Sequence, residues 1–155
     1  MKMVSKISLL LIGLTLTVPG FAAKDPKLSA IKARQGEMQL RSFNAGPLFA
    51  MAKGDMDYDA ALASKLAGNL KLLLDLDNGR AWAPGSDIGN YPDDTTALDT
   101  IWTTYPEIGK YGKKYAEAVN ELAAVAGNGA SELKSKIGGL GKSCKGCHDE
   151  FREKQ

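Results

Sequence analysis

The sequence predicts an all-α antiparallel four-helix bundle, and three observations point to it. Apolar residues recur at three- and four-residue steps through four long segments. Clusters of Gly, Pro, Asn and Asp separate those segments. No stretch alternates polar and apolar side chains as a half-buried strand does, and there is no internal repeat.

The first helix is expected from about Pro26 to Lys53, with Leu28, Ile31, Met38, Ala45 and Phe49 along its apolar stripe. Pro47 falls inside it and should kink it or loosen one turn, because it lacks an N–H and its ring crowds the preceding turn. The second runs from about Asp57, as N-cap, to Asp77, with Leu62, Leu66, Leu70, Leu73 and Leu74 as its stripe and Asn78-Gly79 as its stop. Residues 79–94 read as a loop, containing Ala83-Pro84-Gly85-Ser86-Asp87 and Asn90-Tyr91-Pro92.

A third helix is expected to begin near Thr96, with Asp99 as its capping-box partner, a kink at Pro106 and an end at Gly127-Asn128-Gly129. Its inner face would carry Leu98, Ile101, Trp102, Tyr105, Ile108, Tyr115, Val119 and Leu122. The fourth helix runs from about Ala130 to Lys154. Its Leu133, Ile137, Leu140, Cys144, Cys147 or His148, and Phe151 alternate in steps of four and three, the spacing of a bundle seam. Gly138, Gly139 and Gly141 weaken helix propensity there but allow close approach. Short links between helices one and two, and three and four, make neighbours antiparallel.

The amino terminus has its own pattern. Lys2 and Lys6 precede the apolar run Ile7 to Val18, which Pro19-Gly20 breaks, and Gly20-Phe21-Ala22 offers small residues at the cleavage positions. Residues 1–22 are therefore read as a secretory signal peptide cut after Ala22, too short in its apolar part to span about 30 Å of hydrocarbon. Residues 23–155 remain as one domain, expected to be exported, soluble and periplasmic, with no later stretch apolar enough for a bilayer. Losing Lys2 and Lys6 and no acid takes the formal charge from +2 to 0. With no basic stripe, a nucleic-acid partner is not expected.

Near the carboxyl terminus stands Cys144-Lys145-Gly146-Cys147-His148, with the only two cysteines and the only histidine of the chain. CxxCH is a c-type haem attachment pattern: the thiols form thioethers with the haem vinyl groups, and the histidine is the proximal iron ligand. Zinc would want a fourth ligand, and a redox dithiol would want a βαβ setting that is missing here. One haem follows, with no second histidine for the opposite face of the iron.

A carboxy-terminal CxxCH in a helical bundle resembles the class II cytochromes c, and among them cytochrome c′. The likeness spans the exported part of the chain and is carried by Gly141-Lys142-Ser143-Cys144-Lys145-Gly146-Cys147-His148-Asp149-Glu150-Phe151-Arg152 and by Ala30-Ile31-Lys32-Ala33-Arg34-Gln35-Gly36-Glu37-Met38. Gly46-Pro47-Leu48, Lys53-Gly54, Tyr58-Asp59-Ala60-Ala61, Pro84-Gly85-Ser86-Asp87 and Ile101-Trp102 add to it. Two departures stand out: a long loop before the third helix, and Ala97-Leu98-Asp99 where the family has a proline.

The resemblance implies roles residue by residue. Cys144 and Cys147 would anchor haem c, and His148 would ligate its iron. Arg34 and Gln35 would approach the haem edge, with Arg34 pairing a propionate through its planar fork; the plain alternative is a surface arginine. Ser86 and Asp87 would contact the haem from the loop. Arg152, one turn past His148 on the same helix face, would lie beside the proximal histidine and influence ligand entry, or else serve only as a cation at a helix end. Met38 would cover an open sixth position, leaving five-coordinate high-spin iron, or ligate the iron as in low-spin relatives; it could also be adaptable core filler.

The function implied is periplasmic binding of NO and CO with participation in electron transfer, through a redox partner that the sequence leaves unidentified. The alternative is a low-spin electron carrier with Met38 as sixth ligand. A peroxidase-like enzyme would want a distal acid–base pair, and no histidine is left to supply one, so no enzyme is expected. Trp82, Trp102 and the tyrosines read as packing. The family often pairs through its first two helices, so a homodimer is expected, with Phe43, Leu48 and Tyr58 as candidate contacts.

Overall fold

The computed structural model describes residues 25–154, so the signal peptide expected at 1–22 lies outside the described residues. Helix α1 spans Pro26–Lys53. The Asp25 carboxylate accepts from the amides of Lys27 (2.8 Å) and Leu28 (3.3 Å), and Pro26 occupies the first turn, where no N–H is needed. At the far end Gly54 adopts φ 86°, a left-handed value that suits glycine, and its N–H closes on Ala50 and Met51. The helix runs through Pro47 without ending.

Tyr91 Oη donates to the other Asp25 oxygen at 2.7 Å. This bond, ahead of burial acting the other way and the two helix amides, holds the Asp25 carboxyl below the usual aspartate range. The stabilisation is therefore present above about pH 4 and is lost as pH falls through the lower folded value. The protection of the Lys27 and Leu28 amides, measured by NMR as exchange relative to the unprotected rate at each pH, should fall below that point, and Asp25→Asn should remove most of this pH dependence.

Helix α2 spans Ala60–Leu72. Its cap is Asp59 rather than Asp57: Asp59 has the extended backbone (φ −120°, ψ 111°), and its carboxylate accepts from Leu62 N at 2.9 Å. The helix stops five residues short of the expected Asp77. Leu74 N and Asp75 N bond back only three residues, a tightening usual at helix ends, and the chain then enters a 3₁₀ turn at Gly79–Trp82.

The expected third helix is two pieces, α3 (Thr100–Thr103) and α4 (Glu107–Val125), parted at the cis Tyr105–Pro106 bond. Proline lacks the N–H for a helix interior and disfavours the helical region for the residue before it. The Thr96/Asp99 capping box does not form, and Asp99 makes no side-chain cap. Residues 96–98 instead pair with the carboxy-terminal tail: Leu98 N donates to Phe151 O (2.9 Å) and Glu153 N to Thr96 O (2.8 Å). Helix α5 accordingly ends early, spanning Ala130–Phe151, with Arg152 extended.

Contacts run α1 to α2, α2 to α4, α4 to α5 and α5 to α1, which closes a four-helix ring as expected. No strand is present among the described residues beyond the single bridge Ala97–Arg152. Leu48, Leu70, Val119, Leu122, Leu133 and Leu140 form the centre of the core. The Tyr58 hydroxyl donates to Ala126 O and accepts from Gly129 N, both at 2.9 Å, tying the α1–α2 link to the α4–α5 link. A Cβ on Gly127 would meet Ser64 Cβ at 3.1 Å, so the absent side chain lets the α4–α5 link press on α2. Leu48 is fully buried and Tyr58 is committed inside the chain, so of the three expected dimer contacts only Phe43, 76% exposed, presents itself outward. No helix among the described residues is long and apolar enough to cross a membrane.

Candidate haem site

The buried face of α1 carries Ile31, Arg34, Glu37, Asn44, Leu48 and Met51, at helical spacing. Three of these six are polar, and all three lie between positions 34 and 44. Burying a polar side chain costs free energy unless it is bonded, so this stretch must be supplied with partners.

Arg34 is supplied by the loop. Nη1 donates to Ala81 O (3.1 Å) and Ser86 Oγ (2.9 Å), and Nη2 to Ser86 O (2.8 Å) and Thr95 Oγ1 (3.3 Å). Its guanidinium lies 5.5 Å from the Trp82 ring centroid and 5.9 Å from that of Trp102, and Trp102 Nε1 donates to Trp82 O. Burial lowers the Arg34 pKa, and the charge of Asp87 acts against that. The expected propionate partner is thus engaged as the pin of the long loop, because the loop offers its carbonyls and hydroxyls where α1 buries a cation. Gln35 joins it, with Nε2 donating to Asp94 O at 2.6 Å.

Ser86 is buried, and its hydroxyl also donates to Ala83 O at 2.7 Å. Asp87 is buried and accepts from Asn90 N (3.2 Å) and Asn90 Nδ2 (2.9 Å). Burial raises the Asp87 carboxyl, but these bonds outweigh it and hold the group below the usual range. The four expected residues Arg34, Gln35, Ser86 and Asp87 therefore belong to one junction between α1 and the loop.

Cys144, Cys147 and His148 stand half-buried on α5, continuous with the seam of Leu133, Ile137 and Leu140. Both thiols are free. Burial pushes both up, and the charge of Arg41 pulls both down. Burial first, and then Arg152, lower the His148 pKa, with Asp149 opposing. Both leading causes favour neutral imidazole, the form that ligates a metal. Arg152 reaches His148 electrostatically from extended backbone: the helix has ended at Phe151, so it is not one turn along the same face. Lys145 pairs with Asp149 on the outer face of α5. Gly141 lies close to the Phe49 ring, whereas Gly138 has open space where its Cβ would be.

Met38 is half-buried on α1, one turn after Arg34. One turn further is Arg41, a site residue that the sequence motifs leave out. It pairs with Glu37, and its guanidinium stacks on the Tyr115 ring at 4.4 Å from the centroid. The second Glu37 oxygen accepts from Asn78 Nδ2 at 2.9 Å. A cleft of about 320 Å³ opens here between α1, the end of α2, the 3₁₀ turn and α4, lined by Glu37, Arg41, Leu73, Leu74, Asn78 and Tyr115 among others. Arg41 Nε and Tyr115 Oη are buried without a partner. The signal for this cleft in the sequence is a run of polar residues on core-spaced positions of α1.

The residues present fit a covalently held c-type haem: two unpaired thiols one turn apart on an inward face, a histidine beside them held toward its neutral form, and orphaned donors in the adjoining cleft.

Comparison with known proteins agrees. The sequence model of the cytochrome c′ family matches residues 29–152. The chain is 37% identical over 146 residues to a cytochrome c′ of Cereibacter sphaeroides, covering 94% of this chain and 97% of that protein. It is similar to the solved cytochrome c′ from Rhodobacter sphaeroides, with a TM-score of 0.81 and 38% identity over 84% of this chain and 99% of that one. A ferrous variant of cytochrome c′ from Alcaligenes xylosoxidans with bound NO gives a TM-score of 0.72 at 27% identity, over 86% of this chain and 100% of that one. A CO-bound variant of the same protein is similar at 28% identity.

Proposed function

Because the chain belongs to the cytochrome c′ family, we propose that it is a periplasmic monohaem cytochrome whose iron is held by His148, keeps its opposite position open under Met38, binds NO and CO, and takes part in electron transfer. One observation carries this reading: α5 bears the two free cysteines and the histidine on a half-buried face, and packs against α1, which bears Met38. The related NO-bound and CO-bound structures support the choice of ligands.

When bound, the haem supplies an iron that coordinates diatomic gases and changes oxidation state. The chain's own residues hold and screen it. Cys144 and Cys147 bind it through thioethers, and His148 ligates as neutral imidazole. Met38 is an apolar, adaptable cover that keeps water from the opposite face. Arg34, Gln35, Ser86 and Asp87 act at one remove, by fixing the loop against α1. Leu40 and Phe43 on α1, with Leu72 at the end of α2, leave an exposed apolar surface that suits a second copy of the chain. Export through the amino-terminal signal peptide gives the periplasmic location, where thiols and haem are joined.

The alternative retains Met38 as a sixth, thioether ligand and makes the protein a low-spin electron carrier. The variant Met38→Ala separates the two. With an open site, ferrous Met38→Ala should bind CO and NO faster by about tenfold, roughly 1.4 kcal/mol of barrier, with its spectrum otherwise little changed. Stopped-flow rates equal to those of the parent would remove Met38 as the guard of the site. Conversion of a low-spin spectrum to a high-spin one would establish it as a ligand.

A further inference from the structure

We propose that the ion pair between Glu37 and Arg41 tunes the reduction potential of the haem, with its positive end turned toward the attachment cysteines, an inference that rests on the haem reading above. Both residues lie on α1 beside Met38, one position before it and three after it. Their side chains are only 8% and 25% exposed, so water screens this pair less than it screens a surface pair. The pair also has a fixed direction. Asn78 Nδ2 donates to the second Glu37 oxygen at 2.9 Å, which holds the carboxylate toward the 3₁₀ turn. The guanidinium stacks on Tyr115 of α4, 4.4 Å from the ring centroid.

Tyr115 is on the face of α4 that meets the haem-attachment turn. It belongs to the core against which Cys144 packs. One turn earlier on the same helix, a Tyr111 ring carbon lies 3.8 Å from where a Cβ on Gly146 would stand, between the two cysteines. The positive end of the pair is therefore the end nearer α5. The electrostatics agree. Burial comes first in raising Tyr115 and both thiols; beyond it Tyr115 feels Arg41, Cys144 and Glu37, whereas of the pair only Arg41 acts on Cys144 and Cys147. Ferric haem carries one more positive charge than ferrous haem, so a weakly screened cation beside its attachment disfavours the ferric state. The pair thus raises the midpoint potential and keeps more of the iron ferrous, the state that takes up CO.

Spectroelectrochemical titration of the holoprotein tests this in the parent, Arg41→Met, Arg41→Lys and Glu37→Gln. Removing the cation should lower the midpoint: in Arg41→Met the ferrous-to-ferric ratio at a fixed potential should fall about tenfold, a shift of about 59 mV for one electron. Glu37→Gln leaves the cation unopposed and should raise that ratio about threefold. Arg41→Lys keeps the charge and should stay within about twofold of the parent. Opposite signs for the two charge changes are the signature, because loosened packing would move both variants the same way. Ratios within about twofold of the parent in both Arg41→Met and Glu37→Gln, shifts of the same sign in both, or an equal fall in Arg41→Lys and Arg41→Met would each overturn the proposal. Haem content of the same samples, measured as the pyridine haemochrome, keeps the two readings apart. A folded parent without covalent haem would defeat the function proposed above and this inference with it; a haem-loaded parent whose midpoint ignores the pair would defeat this inference alone.

Discussion

Replacing Cys144 and Cys147 together by serine is expected to give a protein from which all haem is removed by acidified acetone, where the parent retains all of it. The two thioethers are the whole covalent attachment, because these are the only cysteines in the chain. Serine preserves size and helix position but cannot form the carbon–sulfur bond. Each single variant should retain one thioether and resist extraction. Intact-protein mass spectrometry reads the outcome directly: the double variant lacks the added mass of one haem, and each single variant keeps it. Haem retained by the double variant would show that the attachment lies elsewhere.

Replacing Arg34 by methionine is expected to cost about 3–5 kcal/mol of stability, since each buried acceptor left without a donor costs about 1–3 kcal/mol. Four acceptor interactions are lost at once, and the loop carbonyls of Ala81 and Ser86 are left buried without a donor. The melting temperature should drop by about 10–20 °C in a domain of this size. Lysine at the same position should recover little, since a point-like ammonium cannot reproduce a planar fork of donors or stack between Trp82 and Trp102. Ser86→Ala removes one hydroxyl from the same network and should cost about 1–2 kcal/mol. Urea denaturation of the three variants with haem attached measures the series. A loss below about 1 kcal/mol for Arg34→Met would mean that the loop is held by other contacts.

These two expectations differ in how openly the residues announce their roles. Cys144, Cys147 and His148 are clustered in sequence and chemically specialised, so the motif alone proposes them. The part played by Arg34 depends on backbone carbonyls 47 and 52 positions away, and a carbonyl leaves no trace in a side-chain pattern. The same distinction runs through the fold. The bounds of α1 are readable because Pro26 and Gly54 mark its ends by fixed or unusual φ values. Asp57 and Asp59 are equivalent as letters, and only the extended backbone at Asp59 decides which one caps α2. Thr96 to Asp99 carries a plausible-looking capping signature, yet the Leu98 amide and the Thr96 carbonyl are taken by the distant residues Phe151 and Glu153. That pairing also draws Arg152 out of the helix in which its spacing from His148 would have placed it. Arg41 is the reverse case: it stands at helical spacing from both Arg34 and Met38, and a charged residue in a core register is a signal that the sequence carries by itself.

The open position opposite His148 is the centre of the proposed function, and the absorption spectrum of the dithionite-reduced holoprotein tests it most directly. A broad high-spin ferrous spectrum, with no sharp α-band, is the expected result and corresponds to iron ready to take up NO or CO. A sharp low-spin α-band would contradict it: the sixth position would then be filled, with Met38 the candidate ligand, and the protein would be an electron carrier.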